Sequence, residues 1–427
     1  MECIQIQGGN KLSGEVDIQG SKNAALPIMA ACILVPGIVV LENCPRILDV
    51  EFMCRILRSV GVWVKWEKNV LVLDARQITE SRLPREYVTR MRSSVMVAGA
   101  MLGRCREITF HYPGGCVIGD RPIDLHVKAL KQLGAVFTES DDMLYAHAER
   151  LTGCRISLPF PSVGATENTV LAAVLAEGVT EIYGCAREPE IEAMCGFLNC
   201  AGAKIKGIGS SHITVEGVKQ LHGCTWKVAS DRIVAGTYLI STLAAGGDVY
   251  LKHAPVGQME SVLSLARVMG AGLICDNEGI RIVQSGLLTA PDSLNTGVYP
   301  AFPTDLQSIL LAALCRADKD SSLTERIFNG RFGVAEELNR MGARIRVENN
   351  TAYVTGKRQL HGCNVTAQEL RGGAALVLAG VMASGYTQVY NRHFIDRGYE
   401  DIVRDFKSLG VSIGSKEEFQ TDERRKS

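Results

Sequence analysis

Six glycines stand at Gly61, Gly134, Gly202, Gly270, Gly342 and Gly410, separated by 73, 68, 68, 72 and 68 residues. Each sits in the same phrase: an amphipathic run, a turn centred on the glycine, then alternating residues. The six copies read RILRSVGVWVKW, KALKQLGAVFTE, GFLNCAGAKIKG, SLARVMGAGLIC, ELNRMGARIRVE and DFKSLGVSIGS. Glycine just past a helix end reaches backbone angles closed to other residues and turns the chain straight into a strand. Upstream of each phrase a second, more apolar helix begins, near SKNAALPIMAACIL, MRSSVMVAGAML, GATENTVLAAVLA, DRIVAGTYLISTLAA, PTDLQSILLAAL and ELRGGAALVLAG. VLAAVLA and ALVLAGVMA are apolar on nearly every side, which places such helices inside and the strands outside. The period therefore predicts six units of helix, strand, helix, strand, strand.

At 427 residues the chain exceeds what one core usually serves. Grouping the units three and three predicts two α/β domains. The crossing lies near LHGCTWKVASDRI, around residue 229, and a charged tail fills 415–427. Lys+Arg and Asp+Glu both number 46, which excludes a general nucleic-acid or anionic-membrane surface and leaves room for a local basic pocket. None of the 14 cysteines forms a CxxC pair, so a zinc site or redox dithiol is not expected. That many thiols in a chain of this size suit a reducing cytoplasm. Residues 24–41, AALPIMAACILVPGIVVL, carry no charge, but Pro27 and Pro36-Gly37 interrupt them, so a buried helix and a strand are expected rather than a membrane span.

The stretch PGGCVIGDRPIDLH, 113–126, departs from the repeat. Cys116 lies among Gly114, Gly115 and Gly119, with Arg121 five residues on, and Pro122 suits the first turn of the helix that follows. The bland reading of a free cysteine is a small buried apolar residue. A thiol ahead of a helix N-terminus and near an arginine is instead placed where the thiolate is favoured. The loop spans about 111–121.

Charges also gather where the apolar helices begin. Lys22 and Asn23 open the first, Arg92 the second, and Ser162, Val163 and Gly164 precede the third; Asp231 and Arg232, Asp305 and Arg371 open the last three. Arg121, Arg331 and Arg397 stand at starts of the other helices. For any one arginine an exposed cap is the simpler reading. Lys22, Arg121, Arg331, Arg371 and Arg397 at equivalent places predict an anion site, because helix N-termini and bidentate guanidinium groups both favour carboxylate or phosphate. Asp305 is the odd acid in that set, a candidate base or an N-cap of the helix opened by PTDLQ; the two roles are compatible.

The motifs GSKNAALP, PGGCVIGDRPIDLH, PSVGAT, AREPEI, AFPTDLQ, the RF after Asn329-Gly330, and IDRGYE run from residue 20 to residue 400. In them the chain resembles the enolpyruvyl transferase family, and the cysteine loop resembles its UDP-sugar branch rather than its shikimate-pathway branch. The resemblance implies two inside-out α/β barrel-like domains, each of three βαβαββ repeats, with the first strand of the chain joining the C-terminal domain, so that the domains are 22–229 and 1–21 plus 230–427. It implies transfer of the enolpyruvyl group of phosphoenolpyruvate to the 3′-hydroxyl of UDP-N-acetylglucosamine, with release of phosphate, at the first committed step of peptidoglycan synthesis. No metal or organic cofactor is implied. By position, Cys116 resembles the acid that protonates the methylene carbon and Asp305 the base for the sugar hydroxyl. Lys22, Arg121, Arg331, Arg371 and Arg397 resemble the cationic shell, with Lys22 and Arg397 counted among the catalytic groups. Asn23, Arg92, the run Arg121, Pro122, Ile123, Asp124 and Leu125, then Ser162, Val163, Gly164 and Ile327 match UDP-sugar contacts. Glu369 stands where an aspartate commonly precedes Leu-Arg. Two alternatives stay open: a shikimate-pathway transferase, and a non-catalytic paralogue that binds UDP-sugar.

Overall fold

The repeated glycine phrase is a helix end. The computed structural model describes residues 3–114 and 123–415, and in it all six glycines take φ between +83° and +109°. An L side chain there costs about 1–2 kcal/mol, which is why the position is glycine each time. Gly61 N–H donates to Arg58 O at 3.1 Å and Val62 N–H to Leu57 O at 3.0 Å; the sixth copy repeats this with Gly410 to Lys407 at 3.0 Å and Val411 to Phe406 at 3.0 Å. The other four copies make the same two bonds, so six helix ends are closed by one Schellman motif.

Twelve principal helices alternate in kind. They are α1 (Lys22–Ala31), α2 (Leu48–Ser59), α3 (Met96–Cys105), α4 (Asp124–Gln132), α5 (Val163–Ala173) and α6 (Pro189–Cys200), then α7 (Arg232–Ala245), α8 (Glu260–Val268), α9 (Gln307–Leu314), α10 (Val334–Arg340), α11 (Leu370–Met382) and α12 (Ile402–Ser408). The odd-numbered helices are the apolar ones and are almost wholly buried: every residue of α9 and α11 is enclosed, and all of α7 but its last. The even-numbered helices bury one face only and carry the glycine ends. Pro27 lies inside α1 and is buried, so it does not break the helix as its residue type alone suggests. The apolar run instead turns at Cys32–Leu34, and Pro36-Gly37 leads into the strand Ile38–Glu42. Among the described residues no helix is long and apolar enough to cross a membrane.

The described strands form six sheets, five of four strands and one of three. In each, the strand after an inner helix pairs antiparallel with one strand of a hairpin, as Ile38–Glu42 does with Val70–Asp74 beside Trp63–Glu67. In the five four-stranded sheets a further strand runs parallel on its other side, such as Arg155–Ser157 along Glu181–Tyr183. Reading the residues alone missed these segments, four of which have three residues, too few to show alternation. Two of them are exchanged: Leu12–Asp17, ahead of α1, pairs with Gly247–Lys252, while Thr225–Lys227, ahead of α7, pairs with Val40–Glu42. The last sheet lacks a second hairpin strand of its own, and Cys3–Gln7 supplies it, between Tyr386–Tyr390 and Ser412–Gly414.

Contacts divide the chain into two compact units. The N-terminal unit comprises 20–114 and 123–229; the C-terminal unit comprises 3–19 and 230–415. Each has its own apolar core. One is built around α1, α3 and α5, the other around α7, α9 and α11.

Candidate active site

In the C-terminal unit the inner helices deliver charge. The chain enters α9 through a tight turn, Thr304–Leu306, after the extended Pro303. Asp305 lies inside that turn rather than at its N-cap, which is Pro303, or at that of α9, which is Leu306, and its carboxylate meets two arginines. Arg331 Nη2 donates to its Oδ1 at 2.8 Å and Arg371 Nη2 to its Oδ2 at 3.2 Å. The guanidinium side chains are 2% and 4% exposed, against 27% for the aspartate, so the acid forms the outer face of the cluster. Arg331 Nε and Arg371 Nη1 are buried with no hydrogen-bond partner. A buried donor left unsatisfied costs about 1–3 kcal/mol, and these two are suited to donate to an anion's oxygens. Burial opposes the charge of Arg371, yet Asp305 first, then Tyr399 and Asp231, outweigh it and raise its pKa.

Arg371 is set in the first turn of α11 by Glu369, whose carboxylate accepts the N–H groups of Arg371, at 2.7 Å, and of Gly372. Arg397 is buried at the end of the turn Arg392–Arg397. Gln19 anchors the chain just beyond it, donating to Gly398 O at 3.2 Å and accepting from Glu400 N–H at 2.8 Å. Ile327 is half-buried in the loop that follows the strand Ser321–Thr324.

The N-terminal unit uses different means. Ser21 caps α1 by accepting from Ala24 N–H, which leaves Lys22 and Asn23 in the first turn. Lys22 Nζ lies 3.3 Å from Asp49 Oδ2, and the Asp49 side chain is only 2% exposed. Ser162 caps α5 in the same way, accepting from Ala165 N–H at 3.3 Å, with Val163 and Gly164 following. Ile123 is buried ahead of α4, whose first residues, Asp124 and Leu125, are exposed and half-buried. Arg92 opens the turn that leads into α3.

These last segments meet through a residue the sequence reading passed over. His126 is buried, and burial first, then Arg92, push its pKa down to about 4. Asn168 Oδ1 accepts from Gly99 N–H at 2.6 Å, so its Nδ2 faces Val95 O at 3.0 Å and His126 Nδ1 at 3.1 Å. That network assigns Nδ1 as acceptor and puts the ring proton on Nε2. A Cβ at position 164 would fall 2.9 Å from His126 Cε1, so glycine is what lets the ring approach α5.

Thus Asp305, Arg331 and Arg371 form one cluster, and Arg92 and Gly164 are joined through His126. Cys116, Arg121 and Pro122 lie outside the described residues. Asp49, Asn168, Thr304 and Glu325 also escaped the sequence reading. For Glu325 a signal existed: in SSLTE it follows Ser321 and Leu323 at spacing two, on the buried side of a strand, where a charge needs a reason.

The sequence model of the family described as EPSP synthase (3-phosphoshikimate 1-carboxyvinyltransferase) matches residues 6–406. The chain belongs to this family of enolpyruvyl transferases. Within the family it is 44% identical over 413 residues to UDP-N-acetylglucosamine 1-carboxyvinyltransferase 2 of Caldanaerobacter subterraneus subsp. tengcongensis, covering 97% of this chain and 99% of that one. It is 42% identical to UDP-N-acetylglucosamine 1-carboxyvinyltransferase 2 of Bacillus subtilis, covering 97% and 96%. Among solved structures, the enolpyruvyl transferase NikO from Streptomyces tendae superposes with a TM-score of 0.88 at 23% identity, over 97% of this chain and 98% of that one. EPSP synthase from Acinetobacter baumannii gives 0.75 at 18%, over 97% and 100%. The family fold, with helices inside and sheets outside in two three-repeat halves, is the fold of this chain.

Proposed function

We propose that the chain transfers the enolpyruvyl group of phosphoenolpyruvate to the 3′-hydroxyl of UDP-N-acetylglucosamine and releases phosphate. The observation that carries this reading is the Asp305 carboxylate held by two buried arginines that keep unsatisfied N–H groups. A base beside fixed cations is what the chemistry needs. Asp305 takes the hydroxyl proton as the sugar oxygen bonds to C2 of phosphoenolpyruvate. The double-bond electrons take a proton at C3, supplied by Cys116, giving a tetrahedral intermediate. Loss of a C3 proton and of the phosphate, with its bridging oxygen, restores the double bond.

Arg331 and Arg371, with Lys22, Arg121 and Arg397, stabilise the phosphate and carboxylate as charge shifts, an effect of about 3–4 kcal/mol for one well-placed donor. Asn23, Arg92, Ile123, Asp124, Leu125, Ser162, Val163, Gly164, Ile327 and, in the sequence, Arg121 and Pro122 hold the nucleotide sugar. We place the activity in the cytoplasm and in cell-wall synthesis. Among the described residues the thirteen cysteines form no disulfide, which suits a reducing compartment.

The test is phosphate release from phosphoenolpyruvate with UDP-N-acetylglucosamine, with shikimate 3-phosphate, and with neither. Release dependent on the nucleotide sugar is expected. Dependence on shikimate 3-phosphate overturns the acceptor, and binding of the nucleotide sugar without turnover overturns the enzyme.

A further inference from the structure

The strand Ser321–Thr324 ends at Glu325, a carboxylate 1% exposed. Its Oε1 accepts the N–H of Ile327 at 2.7 Å and of Phe328 at 3.2 Å. Its Oε2 accepts the hydroxyl of Thr304 at 2.7 Å. The Thr304 oxygen in turn accepts from Arg331 Nη1 at 2.8 Å, while Arg331 Nη2 holds Asp305. The Arg331 guanidinium also lies 5.3 Å from the centre of the Phe328 ring. One buried acid therefore closes a ring of contacts that joins the 327–328 loop to the Asp305–Arg331 pair.

We infer that Glu325 is a positioning residue for the transfer reaction, its two oxygens setting the nucleotide-sugar loop at Ile327 and, through the Thr304 hydroxyl, the orientation of Arg331 against Asp305. This rests on the proposed function of the site. A threonine hydroxyl has one proton to give. With that proton committed to Glu325, its lone pairs are turned to Arg331, so the guanidinium is held at two nitrogens rather than one. Burial makes the commitment firm, because water is not at hand as an alternative acceptor.

The two arms separate by substitution. In Glu325→Gln the amide oxygen still accepts from Ile327 and Phe328, but the amide nitrogen meets Thr304 as a donor and the hydroxyl proton loses its acceptor. We expect kcat to fall about tenfold with KM for UDP-N-acetylglucosamine within twofold of the parent, a 1.4 kcal/mol effect on the barrier. Thr304→Val breaks the same arm, so the double variant is expected to be no slower than the worse single one. Glu325→Ala breaks both arms, and KM for the nucleotide sugar is expected to rise about tenfold as well. Hydrogen exchange provides a readout independent of turnover: the Ile327 and Phe328 amides stay protected in Thr304→Val and lose protection in Glu325→Ala. Multiplying defects in the double variant, or kcat and KM unchanged while only the melting temperature drops, overturn the inference. If the parent shows no transfer, the functional reading fails by itself, and the exchange pattern alone decides whether Glu325 sets the loop.

Discussion

The two units repeat one architecture, yet they start their inner helices with opposite chemistry. In the N-terminal unit, α1 and α5 are capped by neutral serines, Ser21 and Ser162, with no acid in either first turn. At the equivalent places of the C-terminal unit, α7 and α11 are capped by the carboxylates of Asp231 and Glu369. The middle pair, α3 and α9, both follow a tight turn. A serine cap leaves the partial positive charge of the helix end largely uncompensated, whereas a carboxylate offsets it. The N-terminal unit thus offers helix ends to an anion. The C-terminal unit quiets its helix ends and carries its positive charge on Arg331 and Arg371, aimed by Asp305. Under the proposed function, serine-capped helix ends and Lys22 hold an anion in one half, and the other is the directed half, where Arg331 and Arg371 act beside Asp305.

The most severe way to break the comparison is Asp305→Asn. It leaves the two arginines in place, removes the base and the charge between them, and is expected to lower kcat by about 10²–10⁴-fold in a phosphate-release assay. An unchanged kcat would mean the directed half is not where the chemistry occurs.

Next in size is the acid response of His126. Its pKa falls from 6.5 to about 4 on folding, so as the pH drops the unfolded chain takes the proton first. Native stability from this group is complete above pH 6.5, declines between 6.5 and 4, and changes no further below that. The difference approaches about 3 kcal/mol. Urea unfolding at pH 7, 5.5 and 4 should show a shallower acid loss for His126→Gln than for the parent; parallel curves would contradict the buried neutral ring. Glu167, whose pKa burial raises first and neighbouring Glu190 and Glu188 raise further, acts in the opposite sense, which is why the comparison is made between variants.

A smaller and more pointed test transfers one unit's device to the other. Ser162→Asp keeps a good cap on α5 but adds the charge found at Glu369. Stability is expected to stay within about 0.5 kcal/mol. KM for UDP-N-acetylglucosamine is expected to rise about tenfold, the effect shrinking as salt is raised. An unaltered KM at low salt would remove the helix end from the anion site.

How much of this was open to a reader of the sequence depends on whether a signal was periodic. The glycine phrase was, and all six copies are the same hydrogen-bonded helix end. Asp231 was legible only as a residue opening its helix, and the structure makes it the cap, accepting from Ile233 and Val234 N–H at 2.8 and 3.1 Å. The short parallel strands carried no period long enough to see. Asp49 looked like an ordinary acid at the start of an amphipathic helix, and only the fold shows it buried against Lys22. Pro27 misleads because its missing N–H bond is outweighed by the packing of a helix enclosed from Ala24 to Ala31. The cluster of Asp305 with Arg331 and Arg371 joins residues 26 and 66 positions apart, a proximity that the repeat suggested and that packing in the C-terminal unit completes.

In the proposed transfer the carbon–oxygen bond of phosphoenolpyruvate breaks, not the phosphorus–oxygen bond. Phosphoenolpyruvate carrying ¹⁸O at the bridging position, turned over with UDP-N-acetylglucosamine and read by mass spectrometry, tests it directly. The label should leave in the inorganic phosphate, and label retained on the three-carbon product would contradict the account.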